Sequence, residues 1–212
     1  MSDFKNTQEG TMKWTLDSVS KETNHPFLNF YTLHYTVDQA DGQKNYQYYV
    51  ASRKEADTMR PRTKDFKKPD AVIIGLYKIE DGEVSILMAK QFRPALGTYV
   101  FSIVAGLIDE GEDVFQAAIR EAHEEAGAKE ITDLEILTPI SPTSTGMSDE
   151  EDAFLMARVV SLENNDLEEF EDISSSFVTL KECQEMFQDP KYTFALNARL
   201  WIHCMIARFG VK

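Results

Sequence analysis

Apolar positions along the chain fall into two kinds of run. Some are short and dense in aromatic and β-branched residues; others recur at helical spacing. "FLNFYTLHYTV" (27–37) and "NYQYYVASRK" (45–54) are of the first kind, and such side chains fit a pleated surface. The turn-like "DQADGQ" between them predicts an antiparallel hairpin, and residues 12–56 as a whole read as strands. The basic, proline-punctuated "MRPRTKDFKKPD" (59–70) interrupts the pattern and marks a subdomain boundary. "AVIIGLYKI" (71–79) and "VSILMAKQF" (84–92), joined by "EDGE", predict a second hairpin. "TYVFSIVAGLI" (98–108) predicts one further strand.

From residue 113 the period changes. Asp113 with Gln116 three residues on is a capping box, which starts a helix at Val114. Gly127 suits the left-handed position past its end. At about 100° per residue, Phe115, Ala118, Ile119, Ala122 and Ala126 form an apolar stripe expected to face a core. Strand-like "DLEILTPI" (133–140) and "DAFLMARVV" (152–160) follow, flanking the loop "SPTSTGMSDEE". Two helices are expected at the C-terminal end, over 179–188, again with a capping-box start, and over 194–209. Strands and helices in mixed order imply an α/β or α+β sandwich.

Composition narrows the function classes. The 212 residues suffice for one large domain or a domain with a smaller one appended. With 42% hydrophobic and 11% aromatic residues the chain is too apolar for disorder. No apolar run nears the roughly 18 residues needed to span a bilayer, and "MSDFKNTQEG" lacks the basic start and apolar stretch of a secretory signal. A cytoplasmic protein with no membrane partner is the expectation. Cys183 and Cys204 lie in expected helices and read as buried free thiols of a reducing cytosol. A formal charge of −14 argues against a broad grip on a nucleic-acid backbone. A small polyphosphate remains compatible, given local arginines or metal ions.

The candidate chemistry sits on the first helix. Glu121, Glu124 and Glu125 fall within one arc beside the apolar stripe, at the border of core and solvent. Like charges at this spacing repel, so crowded carboxylates with only Arg120 nearby read either as a solvated acidic face or as ligands for a hard cation. Mg²⁺ and Mn²⁺ take such oxygen ligands, and Mg²⁺ combines a few carboxylates with substrate phosphates. Gly106, Glu112, Arg120, Glu121, Ala122, Glu124, Glu125, Gly127 and Ala128 give G-x5-E-x7-R-E-A-x-E-E-x-G-A. This pattern resembles the Nudix box at every defining position. The resemblance implies a Nudix α/β/α sandwich over about residues 66–212, with residues 1–65 as a small N-terminal antiparallel β subdomain. It also implies hydrolysis of a diphosphate linked to another moiety, using Mg²⁺ or Mn²⁺. Glu121 and Glu125 would be the principal metal ligands, Glu124 would assist, and the Ala105 carbonyl would add an oxygen. Glu112 would pair with Arg120, and Gly106 and Gly127 would serve the backbone path.

Outside the box, "QFRPALGTYVFSIVAGLID" (91–109) and the loop residues Ser141, Pro142, Gly146, Ser148 and Glu150 resemble ADP-ribose pyrophosphatases and related nucleoside diphosphate sugar hydrolases. Ser102 departs from that pattern, standing where many members carry glutamate, and the 141–151 loop is longer than usual. The resemblance implies a homodimer in which the N-terminal subdomain supports dimerisation and completes the nucleotide pocket. It implies cleavage of ADP-ribose to AMP and ribose 5-phosphate, with GDP-mannose or UDP-glucose as alternative substrates. A Nudix sensor that binds ADP-ribose without cleaving it is a third reading, which the intact glutamates oppose. Glu150 would be the base that takes the proton of the attacking water, with Glu121 or Glu124 as alternatives; otherwise Asp149–Asp152 is a solvated acidic turn. Arg93 and Arg53 would hold phosphate, and Phe30 would stack on the base, with Trp14 able to act similarly. His123 reads as solvent-exposed on the outer face of the helix.

Overall fold

The computed structural model describes residues 12–167 and 172–211. The N-terminal stretch read for a secretory signal lies outside them. The chain divides into two compact units, Met1–Lys68 with Pro142–Glu151, and Pro69–Ser141 with Asp152–Lys212.

The first unit is a three-stranded antiparallel sheet of β1 (Lys13–Lys21), β2 (Asn29–Gln39) and β3 (Gly42–Ser52), in that order. The β2–β3 register runs from Asn29 opposite Ser52 to Gln39 opposite Gly42. Alternate residues Tyr31, Leu33 and Val50 close over Met59 to form a small core, as the period of two requires. Met59 precedes the short helix α1 (Arg60–Thr63), which carries Pro61 in its first turn, where no N–H is needed. The loop 142–151 belongs to this unit: Ala51 N–H donates to the Met147 carbonyl, and the Tyr48 hydroxyl to the Gly146 carbonyl.

The second unit contains β4 (Ala71–Glu80), β5 (Glu83–Arg93), β6 (Thr98–Ser102), β7 (Val104–Leu107), α2 (Val114–Ala126), β8 (Ala128–Pro142), β9 (Glu151–Leu162), β10 (Ile173–Thr179), α3 (Leu180–Gln188) and α4 (Leu196–Phe209). Its sheet runs β10-β5-β4-β9-β8, with β6 on β5 and β7 on β4. β4 and β9 are parallel; the other pairs of known register are antiparallel. Alternation along the strands sends Val72, Ile74, Leu76, Leu87 and Leu155 to a core under α2. Tyr77, Ile86, Met88 and Met156 go to a second core with Leu180, Trp201 and Ile202 of α3 and α4. The sheet is thus covered on both faces, a layered mixed α/β architecture. Trp201 packs on the bare backbone of Gly75, where a Cβ would overlap the indole.

Three local expectations change, and one strand appears where the sequence predicts none. The single strand over 98–108 is two, β6 and β7, because the chain leaves β5 for β4 at the buried Ile103. β10 is a strand with no apolar run, "ISSSFVT", and its strand character comes from pairing with β5. Phe115 and Ile119 are exposed, whereas Ala117 is buried. Small side chains at Ala117, Ala118, Ala122 and Ala126 let α2 approach the sheet along a line turned away from those two larger residues. Cys183 is buried as expected but Cys204 is exposed, on the solvent side of α4. No helix among the described residues is long and apolar enough to cross a membrane.

Candidate active site

Local chemistry fixes the ends of α2. Asp113 Oδ1 accepts from Phe115 N–H at 2.8 Å and Gln116 N–H at 2.9 Å. Gln116 Oε1 accepts in return from Asp113 N–H at 2.9 Å, completing the capping box. At the other end Gly127 adopts φ 64°, and a Cβ there would run into the Glu163 carbonyl. Glycine is thus required both by conformation and by space.

Turning the contact line of α2 toward its alanines places Glu121 and Glu125 in the middle of the packed face, not at its border. They are 8% and 6% exposed. The Glu121 carboxylate presses on Gly106 of β7, where a Cβ would overlap it. Glu125 Oε2 accepts from Ala105 N–H at 3.2 Å. Pairing of β7 with β4, Ala105 opposite Ile73 and Gly106 opposite Val72, holds these two residues under the helix.

Arg120 collects the remaining charge. Its Nε donates to Glu112 Oε1 at 2.9 Å and NH2 donates to Glu112 Oε2 at 2.9 Å, a bidentate fork. NH1 donates to Glu121 Oε1 at 2.7 Å and Glu124 Oε2 at 3.0 Å, and NH2 also reaches the Leu107 carbonyl at 2.8 Å. The fork holds the Glu112 carboxyl below the usual range, and its carboxylate partners push the guanidinium up. Among the described residues no three acidic, His or Cys side chains gather at metal-ligand spacing; Glu121 and Glu124 are drawn to Arg120 instead. The donors on offer are nonetheless all oxygens, the three glutamates and the Ala105 carbonyl, which is the chemistry a hard divalent ion takes. Gly106 leaves the room that seats one of them.

Arg93 ends β5, exposed, with its carbonyl accepting from Leu96 and Gly97 N–H in a tight turn. In the first unit, Arg53 and Glu150 are brought together as an ion pair, and the Arg53 guanidinium lies 5.0 Å from the Phe27 ring centroid. Phe30 and Trp14 are both exposed. Phe30 stacks on Tyr49 with rings 6.2 Å apart and nearly parallel, at 6°. Trp14 stands edge-on to Tyr35 and Tyr46 at the rim of a cavity of about 420 Å³. His123 pairs with Glu163 at 2.9 Å.

The stretch 149–152 is not a solvated turn: Glu151 and Asp152 are buried. Arg60, unremarkable in sequence within a basic linker, is itself buried and pairs with Glu151 at 2.7 Å. Its acidic partner Asp149 lies 89 residues away, and Glu151 two residues beyond that, so no local spacing signals them.

Residues 67–197 match the family model described as NUDIX domain. An uncharacterized Nudix hydrolase of Schizosaccharomyces pombe is 31% identical over 150 residues, covering 68% of this chain and 72% of that protein. An ADP-ribose pyrophosphatase of Bacillus subtilis is 32% identical over 140 residues, covering 62% of this chain and 72% of that one. An ADP-sugar pyrophosphatase of Mus musculus is 36% identical over 74 residues, 34% of each chain. A crystal structure described as an ADP compounds hydrolase matches with a TM-score of 0.66 over 96% of this chain and 100% of that chain; at 16% identity this is a likeness of fold.

Proposed function

The chain belongs to the NUDIX family, and from that premise we propose that it hydrolyses the diphosphate of ADP-ribose, giving AMP and ribose 5-phosphate. The observation that carries the reading is the pair of buried carboxylates, Glu121 and Glu125, seated over Ala105 and Gly106. Burying two carboxylates on the packed face of a helix is costly even where Arg120 pairs with Glu121 and Ala105 N–H donates to Glu125. They are well suited to hold a divalent cation, Mg²⁺ or Mn²⁺, with Glu124 and the Ala105 carbonyl adding oxygens. Bound there, the ion would neutralise the diphosphate oxygens and acidify water.

The chain's own side chains do the rest. Arg93 grips a phosphate with its planar fork. Arg53 and Glu150 put a guanidinium and a carboxylate side by side: the first binds phosphate, and the second accepts the proton of the attacking water. Phe30, already stacked on Tyr49, offers an aromatic face for the adenine. Glu112, Arg120, Gly106 and Gly127 hold the loop–helix–loop rigid. The working protein is a homodimer, whose mass light scattering would report.

Incubation with Mg²⁺ and a panel of ADP-ribose, GDP-mannose and UDP-glucose tests the reading, with products resolved by chromatography. ADP-ribose should be cleaved fastest, to AMP and ribose 5-phosphate, and chelation should stop the reaction. Faster cleavage of another sugar nucleotide would move the substrate. Binding without turnover across the panel would make the protein a sensor.

A further inference from the structure

Glu150 lies outside the regular elements, in the loop ahead of β9. The residues on both sides of it are nevertheless held by one buried side chain. Arg60 NH1 donates to the Asp149 carbonyl at 2.9 Å, and Nε lies 2.7 Å from Glu151 Oε2. The Arg60 backbone N–H donates to Asp149 Oδ2 at 3.1 Å, and NH2 donates to the Lys68 carbonyl at 2.6 Å. Ser52 Oγ donates to the other Asp149 oxygen at 2.6 Å. The guanidinium thus donates two hydrogen bonds and makes one ion-pair contact from a single planar fork, whose directions a flexible ammonium does not fix. Arg60 sits at the start of α1, beside the buried Met59 of the first unit's core, so the clamp is anchored to a packed element.

We propose that Arg60 is a positioning residue for Glu150, pinning the backbone on either side so that the carboxylate is presented in one place. This rests on Glu150 being the base. A misplacement of about 1 Å costs a reaction about 100-fold, which is the size of effect the clamp guards against.

The test is steady-state hydrolysis of ADP-ribose with Mg²⁺ by the full chain and its variants. Arg60→Met should lower kcat by about 100-fold with KM little changed, and Arg60→Lys should recover only part of the loss. In a Glu150→Gln background, Arg60→Met should change the residual kcat by less than about twofold, since residues acting as a unit are not additive. Equal losses in both backgrounds, or wild-type kcat in Arg60→Met, would overturn the proposal. Wild-type kcat in Glu150→Gln would remove the base instead, and the positioning role with it. If Arg60→Met does not fold, Arg60→Met with Glu151→Met replaces the buried pair by apolar side chains and carries the same measurements. Lost kcat at an unchanged melting temperature supports the clamp; retained kcat refutes it.

Discussion

The Glu121 carboxylate lies directly against the bare backbone of Gly106: a methyl group built on that glycine would overlap both carboxylate oxygens. The contact joins the second strand of the 98–107 segment to the packed face of α2. It ties the glycine that opens the sequence motif to a glutamate fifteen residues later.

Gly106→Ala should therefore displace Glu121 and not simply stiffen the loop. Turnover of ADP-ribose should fall by about 100-fold, and stability by about 1–3 kcal/mol from overpacking. Initial rates and thermal melts of the purified variant read the two effects separately. Undiminished turnover would mean that Glu121 has no role in the chemistry.

Glu125→Gln keeps the side-chain volume and can still accept from Ala105 N–H, but it removes the negative charge. Turnover should drop by about three orders of magnitude, ~4 kcal/mol in barrier, while far-UV circular dichroism stays unchanged. A variant of full activity would take Glu125 out of the site.

The Glu112–Arg120 fork predicts a pH dependence. Arg120 holds the folded pKa of Glu112 below its unfolded value. The pair's stabilisation is thus fully present above the unfolded pKa of about 4.3 and is lost as pH falls through the lower folded value. Melting temperatures of wild type and Glu112→Gln should differ most near neutral pH and converge in acid below that value. A difference that stayed constant with pH would contradict the assignment.

The two thiols should behave oppositely. Burial pushes the Cys183 thiol up to about 12, while Cys204 is exposed. A thiol reagent near pH 8 should label Cys204 in the native protein and reach Cys183 only after denaturant is added. Rapid native labelling of both would place Cys183 at the surface.

Much of the fold was legible because its signals are local. Dense β-branched runs, the Asp113–Gln116 and Thr179–Glu182 capping boxes and the left-handed Gly127 each depend on neighbours within a turn. β10 was not legible, since three serines carry no strand preference and acquire one only opposite β5. The break at Ile103 was hidden for a related reason: both sides of it are strand, and only their change of partner separates them.

Residue identity and spacing alone establish the chemistry on offer: which carboxylates, arginines and glycines stand where, and hence the family. Spacing along a helix is set by its geometry alone, so the acidic cluster could be placed without a structure. Which side of that helix is buried is decided by what it packs against. The tertiary structure chose the alanine line over the Phe115–Ile119 line and so carried Glu121 and Glu125 into the packed face. It also gave Arg120 four hydrogen-bond partners where the motif implies one, and it brought Arg53 to Glu150 and Arg60 to Asp149 and Glu151. Those pairs are remote in sequence, and contact between remote residues is a property of the folded backbone, which no local pattern encodes.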